Sequence, residues 1–217
     1  MAISLNGDDT MPNHVYIITG ASRGSVPNYR MILDSVFHSQ EIRLYNNLWV
    51  LEEIMMLKLL YYLTFASSLG AGLLAGVFFA FSFFVMQALA KLPTEQGISA
   101  MQSINTTILQ SSFMVIFMGT TALSVVLGIA SFIKLSKISA IYVIAGSLLI
   151  FVGVFLVTVL FNVPLNDTLA AATPGSSEGA QAWMEYLDSW MPWNHVRTIA
   201  SIGALIFFIM AIRSWEF

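Results

Sequence analysis

The sequence predicts an all-α integral membrane protein, a four-helix bundle behind a polar, poorly ordered N-terminal extension, and three observations carry that expectation. Of 217 residues, 57% are hydrophobic and only 10% charged, against roughly 25% charged in an ordinary soluble domain. The mean hydropathy is strongly positive at +0.78. Uncharged stretches also recur at bilayer length: residues 59–90 hold no charged side chain, and at about 1.5 Å per residue such a helix exceeds the ~30 Å hydrocarbon thickness even when tilted.

Residues 1–54 form the extension. Nine of the chain's charged residues fall within 1–53, so polarity is concentrated ahead of the spans. The run VYIITGASRG at 15–24 resembles the opening of a short-chain dehydrogenase, where a strand, a glycine loop and a helix cradle a dinucleotide. Val26 then stands where a further glycine is expected, Pro27 follows, and no second βαβ unit appears before the spans begin. No dinucleotide site is expected from this fragment. The first residues lack the basic and apolar regions of a secretory signal. The MMLK run at 55–58 reads as a natural beginning for a membrane protein, so the extension reads as a misassigned start.

The membrane domain is expected over residues 55–217, with spans at about 59–90, 107–133, 138–163 and 196–212. Lys134 and Lys137 bound the second span. Pro164 has no N–H to donate, which predicts the end of the third. Arg197 stands at the head of the fourth, where it must snorkel or pair. On a four-span path Lys58, Lys134, Lys137 and Arg213 share one side, and Lys91 and Arg197 the other. The positive-inside rule then puts both termini in the cytoplasm, with the bacterial inner membrane as the expected location.

Within the first span Ser68, Gly72, Gly76 and Ala80 recur every fourth residue. Small side chains on one face let a neighbouring backbone approach, which offers a packing surface or a homo-oligomer contact. Phe78, Phe79, Phe81, Phe83 and Phe84 surround that helix instead of striping it, so some rings face lipid and others the protein. Met101, Met114 and Met118 read as adaptable core filler.

Polar groups near hydrocarbon need partners, and a few stand out as candidates for function. Gln102 and Asn105 lie three apart at the entrance to the second span. Asn162 and Asn166 bracket Pro164. Beyond a linker rich in alanine and serine comes an aromatic stretch with Trp183, Trp190, Trp193, Asn194, His195 and Arg197. In a helix, Trp190, Asn194 and Arg197 share a face, whereas His195 lies about 100° round from Asn194. A cation near a helix N-terminus opposes the dipole, so a carboxylate partner is expected from Asp167, Glu185 or Asp188. The plain alternative makes the tryptophans an interfacial belt, Asn194 a cap and Arg197 a snorkelling anchor.

Three motifs beside these spans, QSIN at 102–105, NVPLN at 162–166 and WMPWNHVR at 190–197, resemble the anthrone oxygenase-like family of small four-span membrane proteins. The likeness covers about residues 59–212. It implies oxidation of an anthrone to an anthraquinone by O2. Such chemistry calls for an apolar pocket, donors for a developing oxyanion, and a base. Asn194 and Arg197 are the expected catalytic donors and His195 the expected base, with Gln102, Asn105, Asn162, Asn166, Trp183 and Trp190 binding the substrate.

The chain has no cysteine, which removes disulfides, thiolate metal sites, iron–sulfur clusters and cysteine nucleophiles together. The membrane domain offers His195 without any H-x-x-x-H or H-E-x-x-H spacing. No metal or cofactor is expected, and a haem held by His195 and a methionine is the arrangement left open. The net charge of −3 gives no case for nucleic acid. The expected partners are membrane lipid and a hydrophobic small molecule, and the reading opposed to a cofactor-independent oxygenase is a non-catalytic binder or transporter of such molecules.

Overall fold

A computed structural model of the chain describes residues 29–135 and 137–215. The dehydrogenase-like run at 15–24 lies outside them. Two compact units divide the chain, Met1–Val50 and Leu51–Phe217, and the core and the cavity belong to the second. Its described residues form helices and short connections, with no strand.

Helix α1, Tyr29–Ala80, runs on through a π-helical turn at Phe81–Val85 into α2, Met86–Ala90. A short turn leads to α3, Thr94–Leu109, and a break capped by the Ser111 hydroxyl leads to α4, Ser112–Lys134. Helix α5, Lys137–Leu148, continues through π-helical stretches at Leu149–Leu156 and Thr158–Asn162 into α6, Val163–Ala171. The chain then turns at Gly175, whose φ of +85° is a conformation that suits glycine. Ser176 caps α7, Ser177–Arg213, by accepting from the Gly179 N–H at 2.9 Å.

Among the described residues, four segments are long and apolar enough to cross a membrane: Asn47–Ala90, Ser112–Ile133, Ile138–Ala171 and Ser177–Arg213. The protein is therefore an integral membrane protein. All four differ from expectation at one end or both, the first beginning at Asn47 and the second at Ser112, and the last two run through prolines. The third does not stop at Pro164, which follows directly on the π-helical bonding at Thr158–Asn162 within a helix that continues to Ala171. The fourth begins at Ser177 and carries Pro192 inside it, so Arg197 sits twenty residues within a continuous helix and not at its head.

The core has three parts stacked along the helices. Leu60, Leu127, Val143 and Ala211 pack near one end. In the middle Ala71, Leu74, Phe78, Phe117, Ile150, Val154, Ala204 and Phe208 interlock α1, α4, the third segment and α7. At the other end Met86, Ile98, Met101, Leu169, Trp183, Tyr186 and Trp190 close the assembly. Phe78 is buried while Phe79, Phe83 and Phe84 are exposed, the division expected of rings surrounding a helix. Of the small residues on α1, Ser68 is buried, a side chain at Gly72 would meet Leu205, and one at Gly76 would meet open space.

Close helix contact depends on glycine where α7 meets the third segment. A Cβ at Gly153 would lie 2.5 Å from the Cβ of Ala200, which forces the two backbones apart. Gly153→Val is expected to destabilise the protein by about 1–3 kcal/mol, the usual range for overpacking, read as a lowered midpoint of thermal unfolding in detergent.

Candidate functional site

Between α1, α3, α4, the π-helical third segment and α7 lies a cavity of about 240 Å3. Its walls are mostly apolar, with Phe78, Phe81, Phe113, Phe117 and Phe155 supplying rings and Met101, Met114 and Met118 supplying deformable surface. The polar groups in the wall are Asn105, Thr158, Asn166, Asn194, Arg197 and the Trp190 indole.

Arg197 is 6% exposed, and its surroundings set the character of the site. One terminal nitrogen donates to Asn194 Oδ1 at 2.7 Å and the other to Thr158 Oγ1 at 3.4 Å. The guanidinium carbon lies 4.5 Å from the centre of the Phe78 ring and 5.0 Å from that of Trp190, within cation–π range of both. Nε is buried with no partner. The carboxylate expected beside it is not there: Asp167, Glu185 and Asp188 are all exposed, and Glu185 accepts instead from Gln181. Because Arg197 stands in mid-helix, no dipole end acts on it and neutral groups take the place of a counter-ion.

Asn194 is fully buried and holds the arginine in place. Its Nδ2 donates to the Phe78 carbonyl and to Ser82 Oγ, each at 2.8 Å. Thr198 Oγ1 donates to the Asn194 carbonyl at 2.8 Å, so in its 3.0 Å contact with Ser82 the threonine accepts and the serine donates. Every proton in this ring then has one direction, and the amide oxygen is left facing Arg197. A carbonyl has two lone pairs, so Phe78, just ahead of the π turn at Phe81–Val85, can accept from Asn194 without leaving its helix.

A second amide is fixed beside Trp190. Asn166 Oδ1 accepts from the Tyr186 hydroxyl at 2.8 Å and from Trp190 Nε1 at 3.0 Å. Two donors on its oxygen turn its NH2 away from those partners, and no protein acceptor is recorded for it. Asn105 comes beside the same tyrosine hydroxyl. Trp183, Tyr186 and Trp190 stack in series with centroid spacings of 5.8 Å, which stiffens the α7 face that carries the site.

Of the residues singled out from sequence, Asn105, Asn166, Trp190, Asn194 and Arg197 come together in the cavity wall. The others lie elsewhere. Gln102 Nε2 donates to the carbonyls of Leu169 and Ala172, both at 2.9 Å, and so caps the end of α6. Residues three apart on a helix diverge by about 60°, enough to send Asn105 to the cavity and Gln102 to a neighbouring helix. Asn162 is fully buried behind Trp190 and donates to its carbonyl at 3.4 Å, leaving Oδ1 without a partner. Trp183 is buried in the closing cluster against Gly97. His195 has its ring centre 6.1 Å from that of the exposed Phe83, outside the cavity wall. Trp193 stacks on Phe161 at 3.7 Å.

Sequence reasoning passed over Ser82, Thr158, Tyr186 and Thr198. Ser82 and Thr158 are hydroxyls within apolar runs, Thr198 directly follows Arg197, and Tyr186 precedes Trp190 by about one helical turn; those are the signals that mark them. Among the described residues no cluster of three or more His, Asp or Glu side chains has the arrangement of a metal site.

These features define a class: a helical integral membrane protein with an apolar cavity at membrane depth, floored by an arginine that neutral groups hold. The family model described as anthrone oxygenase matches residues 113–207, the same family that the three motifs resemble. The match takes in α4, the third segment and most of α7, with Asn166, Trp190, Asn194 and Arg197, and leaves α1 and α3 outside. No curated protein and no solved structure matches the chain.

Asn194→Leu removes the donor to Phe78 and Ser82 and the acceptor for Arg197 together. It is expected to cost about 1–3 kcal/mol for each buried group left unpaired, seen as a large fall in thermal stability. Tyr186→Phe removes one bond of the Asn166 pair and is expected to cost about 1 kcal/mol.

Proposed function

We propose that this cavity binds a flat, hydrophobic aromatic ketone of the anthrone type and that the protein oxidises it with O2. One observation carries the reading: Arg197 is buried in an apolar, ring-lined cavity and its recorded partners are neutral. Such a site favours a ligand that is itself apolar but gains negative charge on an oxygen during reaction. The cavity exceeds the ~150 Å3 that accommodates benzene, and its open side leaves room for one edge of a larger fused-ring system.

An anthrone fits this demand. Loss of a proton from its methylene moves charge onto the carbonyl oxygen opposite, where Arg197 stabilises it through donors already in place. Asn105 and the NH2 of Asn166 supply further donors in the cavity wall. Overall the methylene gives up both hydrogens, one atom of O2 becomes the new carbonyl, and the other leaves as water with those hydrogens. Electron transfer from the enolate to O2 needs the substrate held and its charge supported. His195 has no place in the wall; the donor set supports the charge, and the proton that the methylene releases is taken up by the peroxide anion formed when the enolate adds O2, which then loses water to leave the new carbonyl.

The outer location of the site follows from charge. With Arg197 inside a helix, the cations flanking the spans are Lys58, Lys134, Lys137 and Arg213 against Lys91. The positive-inside rule then gives cytoplasmic termini, in a bacterial inner membrane, and a cavity nearer the outer face.

Oxygen uptake and anthraquinone formation by the purified protein, with an anthrone supplied in detergent, test the reading. Arg197→Met is expected to lower turnover about 10²–10³-fold, the scale for loss of a preorganised donor to an oxyanion, while His195→Ala is expected to leave it unchanged. Binding of the anthrone without oxygen uptake by the unaltered protein would replace the oxygenase with a non-catalytic binder.

A further inference from the structure

We infer that ligands reach this cavity sideways from the hydrocarbon layer, through a gap between α4 and the π-helical part of the third segment, and not from water. The inference rests on the reading of the cavity as a site for hydrophobic arenes and adds their route and their phase: molecules dissolved in the bilayer in uncharged form.

The end of the cavity toward the membrane surface is closed. Ile98, Met101, Leu169, Trp183, Tyr186 and Trp190 pack there with at most 5% of any side chain exposed. Gln102 adds a tie by bonding two carbonyls at the end of α6. Water has no polar path through that plug.

The flank is different. Four apolar residues of the cavity wall are strongly exposed: Leu109 at 65%, Met118 at 48%, Val159 at 44% and Val163 at 40%. Leu109 ends α3, Met118 lies on α4, and the two valines lie on the third segment, so they frame an opening between α4 and the third segment with the end of α3 at its edge. Met118 is six residues, about 9 Å, inside the start of the span at Ser112, and Val159 is twelve residues, about 18 Å, inside the end at Ala171. The opening therefore faces acyl chains. Its rim offers no hydrogen-bonding side chain, which suits a neutral arene and repels an ion. A ligand that travels in this way gains its charge only on meeting Arg197.

The π-helical bonding at Thr158–Asn162 sits on this rim. It turns Thr158 toward Arg197 while Val159, the next residue, stays at the opening.

The absence of cysteine makes a direct test simple. Single cysteines are placed at Val159, at Met118 and, as control, at Leu160, which is 59% exposed and outside the cavity wall. Each full-length variant is modified with N-phenylmaleimide in detergent and reconstituted into phosphatidylcholine vesicles. Anthraquinone binding is then followed by quenching of tryptophan emission, a readout independent of turnover. Modification at Val159→Cys and Met118→Cys is expected to slow association at least about tenfold, while modified Leu160→Cys behaves as the unmodified protein. The rate is expected to follow the mole fraction of anthraquinone in the bilayer as the lipid amount is varied. An unchanged rate in the modified rim variants, or a rate set by the aqueous concentration, overturns the lateral route. Binding through the rim without any anthrone oxidation sustains the route and removes the oxygenase. A failure of anthraquinone to bind at all overturns both.

Discussion

A guanidinium inside hydrocarbon without a carboxylate is the constraint around which the rest of this molecule is arranged. Such a cation costs several kcal/mol unless its charge is spread over partners. Here the partners are an amide oxygen, a threonine hydroxyl and two aromatic faces, and each comes from a different position in the chain. Asn194 supplies the amide, and it presents oxygen to Arg197 only because its nitrogen is occupied by Phe78 and Ser82. Ser82 lies in the π turn that follows α1, and Phe78 lies just ahead of it. A carboxylate would stabilise the arginine better in isolation, but it would also neutralise the site. Neutral partners keep a net positive charge available to a ligand.

The π-helical stretches all lie next to the cavity. Phe81 opens the first, Phe155 falls in the second, and Thr158 and Val159 fall in the third. Inserting one residue into a helical turn rotates every later side chain relative to the earlier ones, and it exposes a main-chain acceptor that a regular helix would use. Isolated buried hydroxyls elsewhere in the spans instead bond back to their own helix, as Thr64, Thr121 and Ser131 do.

Two kinds of polar contact are therefore kept apart. Around Arg197 and Asn166 they hold polar side chains in the cavity wall. At Gln102, Ser176 and Ser139 they close helix ends or join segments, which positions the walls without entering them. The same residue type serves both ends: Asn105 lines the cavity, whereas Asn162 is sealed behind Trp190.

The sequence by itself determined that this chain forms apolar helices of bilayer length, since hydrocarbon solvent admits few other structures and composition alone reports it. It also determined that Trp190, Asn194 and Arg197 share a face, because their spacing within one helix follows from local geometry. What lies opposite that face was a matter for the tertiary structure. The helix start at Ser177 in place of the region of Val196, the passage through Pro164 and Pro192, and the neutral company of Arg197 all depend on contacts with other segments. So does the divergence of Gln102 from Asn105, and of His195 from the cavity. Periodicity within a helix is local and readable, whereas the partner a side chain meets depends on how helices from distant parts of the chain dock, and a single π turn shifts that register without leaving a mark in the composition.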